Sequence, residues 1–577
     1  MRRHPILFLA AVFALMASRV WALEIREVRW GFDGHVVPDR FNILSLLVSN
    51  PGPEAFEGAL ILQENGGMEH GVGVPIVQPV YLTPGSSRFV QFHPFVENER
   101  EWKVRWGRGS KENFTIDSPK LAGPARVLLC EPQSPIISDV RLKIFPDDLF
   151  PTSVGATDGL DAVVLDHVPR WETSRREAFL DWVRQGGVVH LLKGSKGEFP
   201  EFTAELAPLN GTEEKSRIGS GTVYRHAVLR DEATVQFLDE HGSPERTLRQ
   251  GKNVSVYALD QTLMQSLAEL TRPEIEWWFI YLLIAAYVLA IGPGHYIWSK
   301  KRDYRAALAL FVGVVALFCV AFAWAGRRGA GETQRAHSLS IAHSLGGDRY
   351  DVMQWNNAFV TKGALYKLTH AAPANFYSVG APQSDQGVAG HVQNGRDGAF
   401  EVDLPLYSSR PFMHRAVMQG EPTRVSPVEW NVDDKGGLSA FAFKPVEGFP
   451  KKIEAIYARH NGQIFRMEPD GLLWRMKSGE PATEFFSEVA NDHFGRQRTP
   501  ERPAEEQWMH GRLRILMAHH LGGIEKLPHF IPARSLSAEE LELFIFAHLP
   551  DGFRLQGGHF KSELGCVLYV QTVSKTD

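Results

Sequence analysis

The chain has 577 residues, a formal net charge of −5 and a mean hydropathy of −0.19. That length leaves room for roughly three or four domains, and the hydropathy excludes a polytopic transporter. Lysine and arginine form no tract outside one short loop, so nucleic-acid binding finds no support.

The first 22 residues read as a secretory signal peptide. Arg2, Arg3 and His4 make a basic start, residues 6–16 an apolar core, and Val20-Trp21-Ala22 a cleavage site. A third membrane helix is the other reading, and Arg19, so close to the core, argues against it. On either reading Leu23 onward is exported.

Residues 23–120 alternate as β-structure and predict a sandwich. Residues 41–48 form a strand-like run closed by Asn50-Pro51-Gly52, and Trp102, Val104 and Trp106 share one strand face. The pattern changes across 124–270. Apolar runs at 126–130, 161–166 and 188–192 accompany a helix, started by a capping box of Ser174 and Glu177 and burying Phe179, Trp182 and Val183. Strand, helix, strand predicts a parallel α/β sheet of flavodoxin-like kind.

Two apolar spans follow, 277–298 and 306–325, both free of Asp, Glu, Lys and Arg. Each is long enough to cross a bilayer, which takes about 20 helical residues. The 299–305 loop between them carries Lys300, Lys301, Arg302 and Arg305, and such loops stay in the cytoplasm. Both long flanks then lie on the far side, in agreement with the signal peptide. Arg327 and Arg328 oppose this weakly. Gly292-Pro293-Gly294 interrupts the first span, either as a packing kink or as a helix end fraying at the interface.

Residues 335–577 return to β-structure with late helices. A meander runs through 453–459, 463–467 and 472–476, turning at Asn461-Gly462 and Asp470-Gly471. One late helix carries Met509, Leu513, Leu516 and His520 on one face. A second spans 537–549, capped by Ser537. There are three cysteines. Cys319 lies in a span, which leaves Cys130 and Cys566, and whether these pair stays open.

This order of parts resembles a group of bacterial membrane-anchored proteins, largely uncharacterised, with an exported β-sandwich and a class I glutamine amidotransferase-like domain. The resemblance covers about residues 25–330. It rests on Gly31-Phe32-Asp33-Gly34, on Ser49-Asn50-Pro51-Gly52, and on Gly159-Leu160-Asp161-Ala162-Val163-Val164-Leu165-Asp166. Phe179-Leu180-Asp181-Trp182-Val183-Arg184-Gln185-Gly186-Gly187 and Ile291-Gly292-Pro293-Gly294-His295-Tyr296 complete it. It implies a membrane segment and genomic neighbours such as MoxR-type AAA ATPases and von Willebrand factor A proteins.

An amidotransferase needs a cysteine nucleophile on a sharp turn after a central strand. The matching strand here is 188–192, and Lys193-Gly194-Ser195-Lys196-Gly197 follows it without a cysteine. Ser195 is the one candidate nucleophile, with Lys193 or Lys196 to lower its pKa, but the G-x-S-x-G frame is absent. His241 and Glu245 echo the family's later His and Glu loosely. The plainer reading is a polar loop on a fold that has lost its reaction. His519 and His520 point about 100° apart on a helix and His510 lies further off, so no metal set is expected. Asp147-Asp148 and Asp433-Asp434 read as solvated turns. Gly219-Ser220-Gly221 precedes a strand, so no phosphate loop is expected.

The expectation is therefore a multidomain chain of β-sandwich, α/β domain, two transmembrane helices and a β-rich C-terminal region. It would sit in the bacterial cytoplasmic membrane with both large segments facing the periplasm or exterior. It would act as a non-enzymatic binding or scaffold component, with the membrane and other envelope proteins as partners and with no cofactor. The alternatives are a hydrolase or amidotransferase with an unrecognised nucleophile in the α/β domain, and a ligand sensor.

Overall fold

The computed structural model describes residues 23–66, 71–107, 112–131, 142–246, 255–271, 277–325, 333–379, 387–434, 436–487, 505–523, 536, 539–556, 560 and 562–575. The predicted signal peptide at 1–22 and Ser537 lie outside these residues, as does the side chain of His510.

Alternating side chains build the N-terminal sandwich. Glu24–Trp30, Leu44–Ser49 and Ser87–Phe92 form a three-stranded antiparallel sheet. Trp102–Trp106 buries Trp102, Val104 and Trp106 and exposes Lys103 and Arg105 more, as period-two alternation dictates. It belongs to a second sheet of seven strands, in the order Glu112–Ile116, Trp102–Trp106, Phe56–Asn65, Gly71–Leu82, Gly390–Gln393, Ala399–Leu404 and Ala364–Leu368. The last three come from beyond the apolar helices. Val392 joins Ile76 in parallel across the junction. One core then holds Leu46, Leu60 and Val104 together with Phe400, Val402 and Leu404, all buried. The 23–120 sandwich is thus completed by residues some 300 positions later.

A six-stranded sheet follows, ordered Lys143–Pro146, Ala125–Cys130, Leu160–Leu165, Val188–Leu192, Gly221–His226 and Lys215–Ile218. Neighbours are parallel except the last pair. Leu160–Leu165 is buried at every residue, as a parallel strand covered on both faces must be. The helix Thr173–Arg184 covers one face, with Phe179, Trp182 and Val183 buried and Trp182 Nε1 donating to Leu160 O at 3.0 Å. Its N-cap is Glu172, and no side chain caps it, so the Ser174–Glu177 capping box is not formed. The expected amidotransferase-like domain over 124–270 gains no support. Helix is sparse around this sheet, and Val256–Thr271 packs elsewhere, burying Leu259, Leu263 and Leu267 against Leu339 and Trp355.

Two helical stretches, Trp278–Ser299 and Tyr304–Ala323, are long and apolar enough to cross a membrane. The first contains a π-helical turn at Ala290–Gly294, where Pro293 has no amide hydrogen to give. His295 Nε2 reaches Ala307 O at 3.0 Å and Tyr287 packs on Phe318, so the two helices touch.

The rest of the chain is organised by a twelve-stranded sheet. Its middle runs Ser408–Gln419, Arg349–Val360, Arg335–Gly346, Ser562–Ser574, Glu540–His548 and Ile453–His460. The predicted helix at 537–549 is instead the strand Glu540–His548, buried at all but its last residue. Glu540-Leu541-Glu542-Leu543 in fact alternates with the period of a strand, but Glu539 and Glu540 beside Ser537 imitate an acidic helix terminus, and the apolar run from Leu543 to Ala547 carries no alternation. The meander forms as expected, with Asn461 and Gly462 at φ +46° and +76° in the first turn. Glu505–His520 is helical and buries Leu513 and Leu516. Cys130 and Cys566 are both buried thiols in different sheets.

Candidate functional site

In open parallel sheets, ligands bind beyond the carboxyl ends of the strands where the strand order reverses. Here that point lies between Ala125–Cys130 and Leu160–Leu165. The strands deliver Cys130, Asp147 and the Asp166-His167 pair to this edge. His167 sits between two carboxylates, Nδ1 at 3.0 Å from Asp166 Oδ1 and Nε2 at 3.3 Å from Asp147 Oδ2. Arg230 holds Asp166 from the other side with two hydrogen bonds of 2.7 and 2.8 Å. Burial opposes charge on His167, but its bonds to Asp147 and Asp166 outweigh burial and raise it to about 9. Burial opposes charge on Asp166 too, and the bonds from His167 and Arg230 hold it at about 2. Asp147 is therefore no solvated turn residue: it is 5% exposed and its carboxylate faces an imidazolium.

Chemically this edge is closed. An imidazolium bonded at both nitrogens has no lone pair to accept a proton. Burial pushes the Cys130 thiol upward, so it is not a ready thiolate. Ser195 stands on an exposed turn, closed by Gly197 N to Gly194 O at 2.8 Å. Among the described residues no histidine bonds to it. Lys193 is half-buried and Lys196 exposed.

The serine–histidine pair that does form is one the sequence reading missed. Ser243 Oγ lies 2.8 Å from His190 Nε2, and His190 Nδ1 lies 3.0 Å from His226 Nε2. His241 stands edge-on to His226 and stacked on Phe237. Glu245 points outward, 3.8 Å from Arg126. Ser243 and His190 are 2% and 0% exposed, so no substrate carbonyl meets the hydroxyl. Burial, then His226 and His241, drives His190 down to about 3. His190 in an apolar strand was the visible signal; its serine partner, 53 residues on, had none.

A polar cleft of about 260 Å³ opens at the opposite end of the parallel sheet, against the twelve-stranded sheet. Asp158, Asp161 and Arg246 line one wall, and Arg459, His520 and Glu542 the other. The second wall is a relay. His343 Nε2 meets His520 Nδ1 at 3.0 Å, His520 Nε2 donates to Glu542 at 2.9 Å, and Arg459 Nε donates to Glu542 at 2.8 Å. Burial works against Glu542, yet His520 and Arg459 hold its carboxyl at about 2. Burial and then His520 lower His343 to about 3. His519 is turned away and bonds Asp260 at 3.0 Å, so the adjacent histidines serve different partners. Ser220 Oγ, from the Gly219-Ser220-Gly221 turn, donates to Thr572 Oγ1 across the junction.

No protein-family model and no curated protein matches the chain. Solved structures give only remote likenesses. A Paenibacillus sp. cycloisomaltooligosaccharide glucanotransferase aligns at 8% identity and a TM-score of 0.16, covering 79% of this chain and 98% of its own. A Bacteroides uniformis β-glucuronidase aligns at 14% and 0.11, covering 30% and 22%. A family 2 β-glucuronidase aligns at 9% and 0.15, covering 96% and 62%. Scores this low carry neither fold nor chemistry to this chain.

Proposed function

We propose that the chain is a membrane-anchored, non-enzymatic binding or scaffold component of an envelope complex. The observation that carries this reading is the shared sheet. Strands before the apolar helices, such as Gly71–Leu82, and strands after them, such as Gly390–Gln393, lie in one sheet around one core. Two flanks that fold together must share a side of the membrane, so the helices form a hairpin with its Lys300–Arg302 turn on the other side. The positive-inside rule places that turn in the cytoplasm and the folded body in the periplasm or exterior. The amidotransferase-like ancestry of residues 124–270 stays within this proposal only as what the sequence resemblance implies, and on that reading the closed edge at His167 fits a fold without its reaction.

The competing reading, a hydrolase, draws on the Ser243–His190 contact of 2.8 Å. Both are tested on the full-length protein. Affinity purification from detergent-solubilised membranes should recover a stoichiometric protein partner, and the purified chain should not hydrolyse glutamine or acyl esters. Turnover that disappears in Ser195→Ala or Ser243→Ala would overturn the scaffold reading. Labelling of single cysteines with an impermeant maleimide should mark residues 300–303 from one side and Asn461 from the other.

A further inference from the structure

The twelve-stranded sheet has two ends, and both chain connections to the apolar hairpin leave from the same one. Arg335 begins its strand opposite Phe359 and Ser562, and the second apolar helix ends at Ala325. The helix Val256–Thr271 runs the same way: Asp260 accepts from Trp355 Nε1, and Leu267 O accepts from Asn357 Nδ2, two residues nearer Phe359. Five residues separate Thr271 from Trp277, six Cα–Cα steps with a reach of at most about 22 Å. The longer Ala325–Arg335 link allows about 35 Å. The shorter tether decides the spacing, and it holds this end close to the membrane.

The same end carries exposed apolar side chains, with none of the described residues over them. Two turns lie side by side there, bracketed by the pairs Val360↔Ser408 and Ala364↔Leu404. The second turn presents Leu406, 61% exposed, and the strand Ala364–Leu368 that follows the first presents Leu365, 66% exposed. Leu564, one strand over from His337, is 44% exposed. Lys362 and Arg335 are exposed among them. One leucine in a turn and two near strand ends, with Lys362 and Arg335 beside them and the exposed Asp403 opposite Leu365, offer apolar tips with charged flanks, as an acyl–headgroup boundary requires.

We infer that this end of the folded body rests on the bilayer, with Leu365, Leu406 and Leu564 dipping into the lipid interface and Lys362 and Arg335 at the headgroups. The inference rests on the membrane-anchored reading above and adds an orientation to it: the sheet stands on the membrane with the Gly346–Arg349 turn pointing away.

The test uses full-length protein in nanodiscs containing nitroxide-labelled lipids. An environment-sensitive fluorophore is placed on Leu406→Cys or, separately, on Asp348→Cys, each in a Cys319→Ala background. Cys130 and Cys566 are buried and stay unlabelled. Asp348 is exposed at the far end of the same strands, about 35 Å away. Native Cys319, exposed on the second apolar helix, reports membrane insertion itself. The expected result is at least threefold stronger quenching at 406 than at 348, with a blue-shifted emission. Equal quenching at 406 and 348, with Cys319 strongly quenched, overturns the resting surface and leaves the anchor standing. An unquenched Cys319 overturns the anchor and the surface with it.

Discussion

Arg415 grips Asp351 with two hydrogen bonds, 3.1 Å from Nε and 2.7 Å from Nη2, and both side chains are buried. Its remaining nitrogen, Nη1, pairs with Asp158 from the parallel-sheet body, and Asp351 also accepts from Gln185 of that body at 2.7 Å. One guanidinium thus fastens two sheets. Arg415→Met should cost about 3–5 kcal/mol, because it strands a buried carboxylate. Asp351→Asn in the same chain should recover part of the loss. Urea unfolding of the detergent-solubilised protein measures both, and a loss below about 1 kcal/mol for Arg415→Met would contradict the assignment.

Stability should peak near neutral pH. His93, His190, His226, His343 and His370 are held neutral, chiefly by burial, with values of about 4, 3, 4, 3 and 3. Below pH 6.5 the unfolded chain takes up these protons first, so stability falls as pH drops toward 3 or 4. On the other side, His167 is charged in the fold up to about 9. Its contribution is complete below pH 6.5 and fades as pH rises through 9. Glu97, raised to about 8 by burial and by Asp39, fades over pH 4.5 to 8 in the same sense. Thermal melts across pH 4–10 check the dome. His167→Gln should flatten its alkaline limb between 6.5 and 9, and an unchanged limb would remove His167 from the account.

The sandwich should not fold without the residues beyond the hairpin. Phe400, fully buried between strands of both flanks, should cost about 3–5 kcal/mol when cut to alanine. A fragment of residues 23–270 lacks Phe400, Val402 and Leu404 altogether and should aggregate or bind hydrophobic dyes. A monodisperse, cooperatively melting fragment would refute the shared core.

The two serines should separate cleanly. Ser243→Ala leaves His190 Nε2 without its partner in a buried site and should cost about 1–3 kcal/mol. Ser195→Ala, on an exposed turn, should shift stability by less than about 0.5 kcal/mol. Equal effects would mean that the buried pair is not formed in solution.

Local pattern was legible and long-range pairing was not. Trp102, Val104 and Trp106 declared their strand by alternation, and the Asn461-Gly462 turn declared its hairpin. The strand at Glu540–His548 reads as a helix because Ser537, Glu539 and Glu540 look like a capped acidic helix start, and the period of two in Glu540–Leu543 lasts only four residues before the apolar run to Ala547. Nothing near Ile76 announces Val392 as its neighbour, since a pairing across more than 300 residues leaves no local trace. The site followed the same rule. Asp166-His167 directly follows an apolar strand and the sequence reading passed over it, while Asp147 and Arg230 reach it only through the fold.

The shared sheet also sets a timetable for biogenesis. Strand Gly71–Leu82 leaves the ribosome roughly 300 residues before Gly390–Gln393 arrives to cover its edge. At about 5–20 residues per second, that edge waits some 15–60 s. On the membrane-anchored reading proposed above, the apolar hairpin enters the bilayer and turns the chain back during that interval, while an open strand beside Leu60 and Leu62 invites a stray partner. An edge left open for that long is the point at which misassembly competes with closure, and slowing the arrival of Gly390–Gln393 should show as misfolded chain.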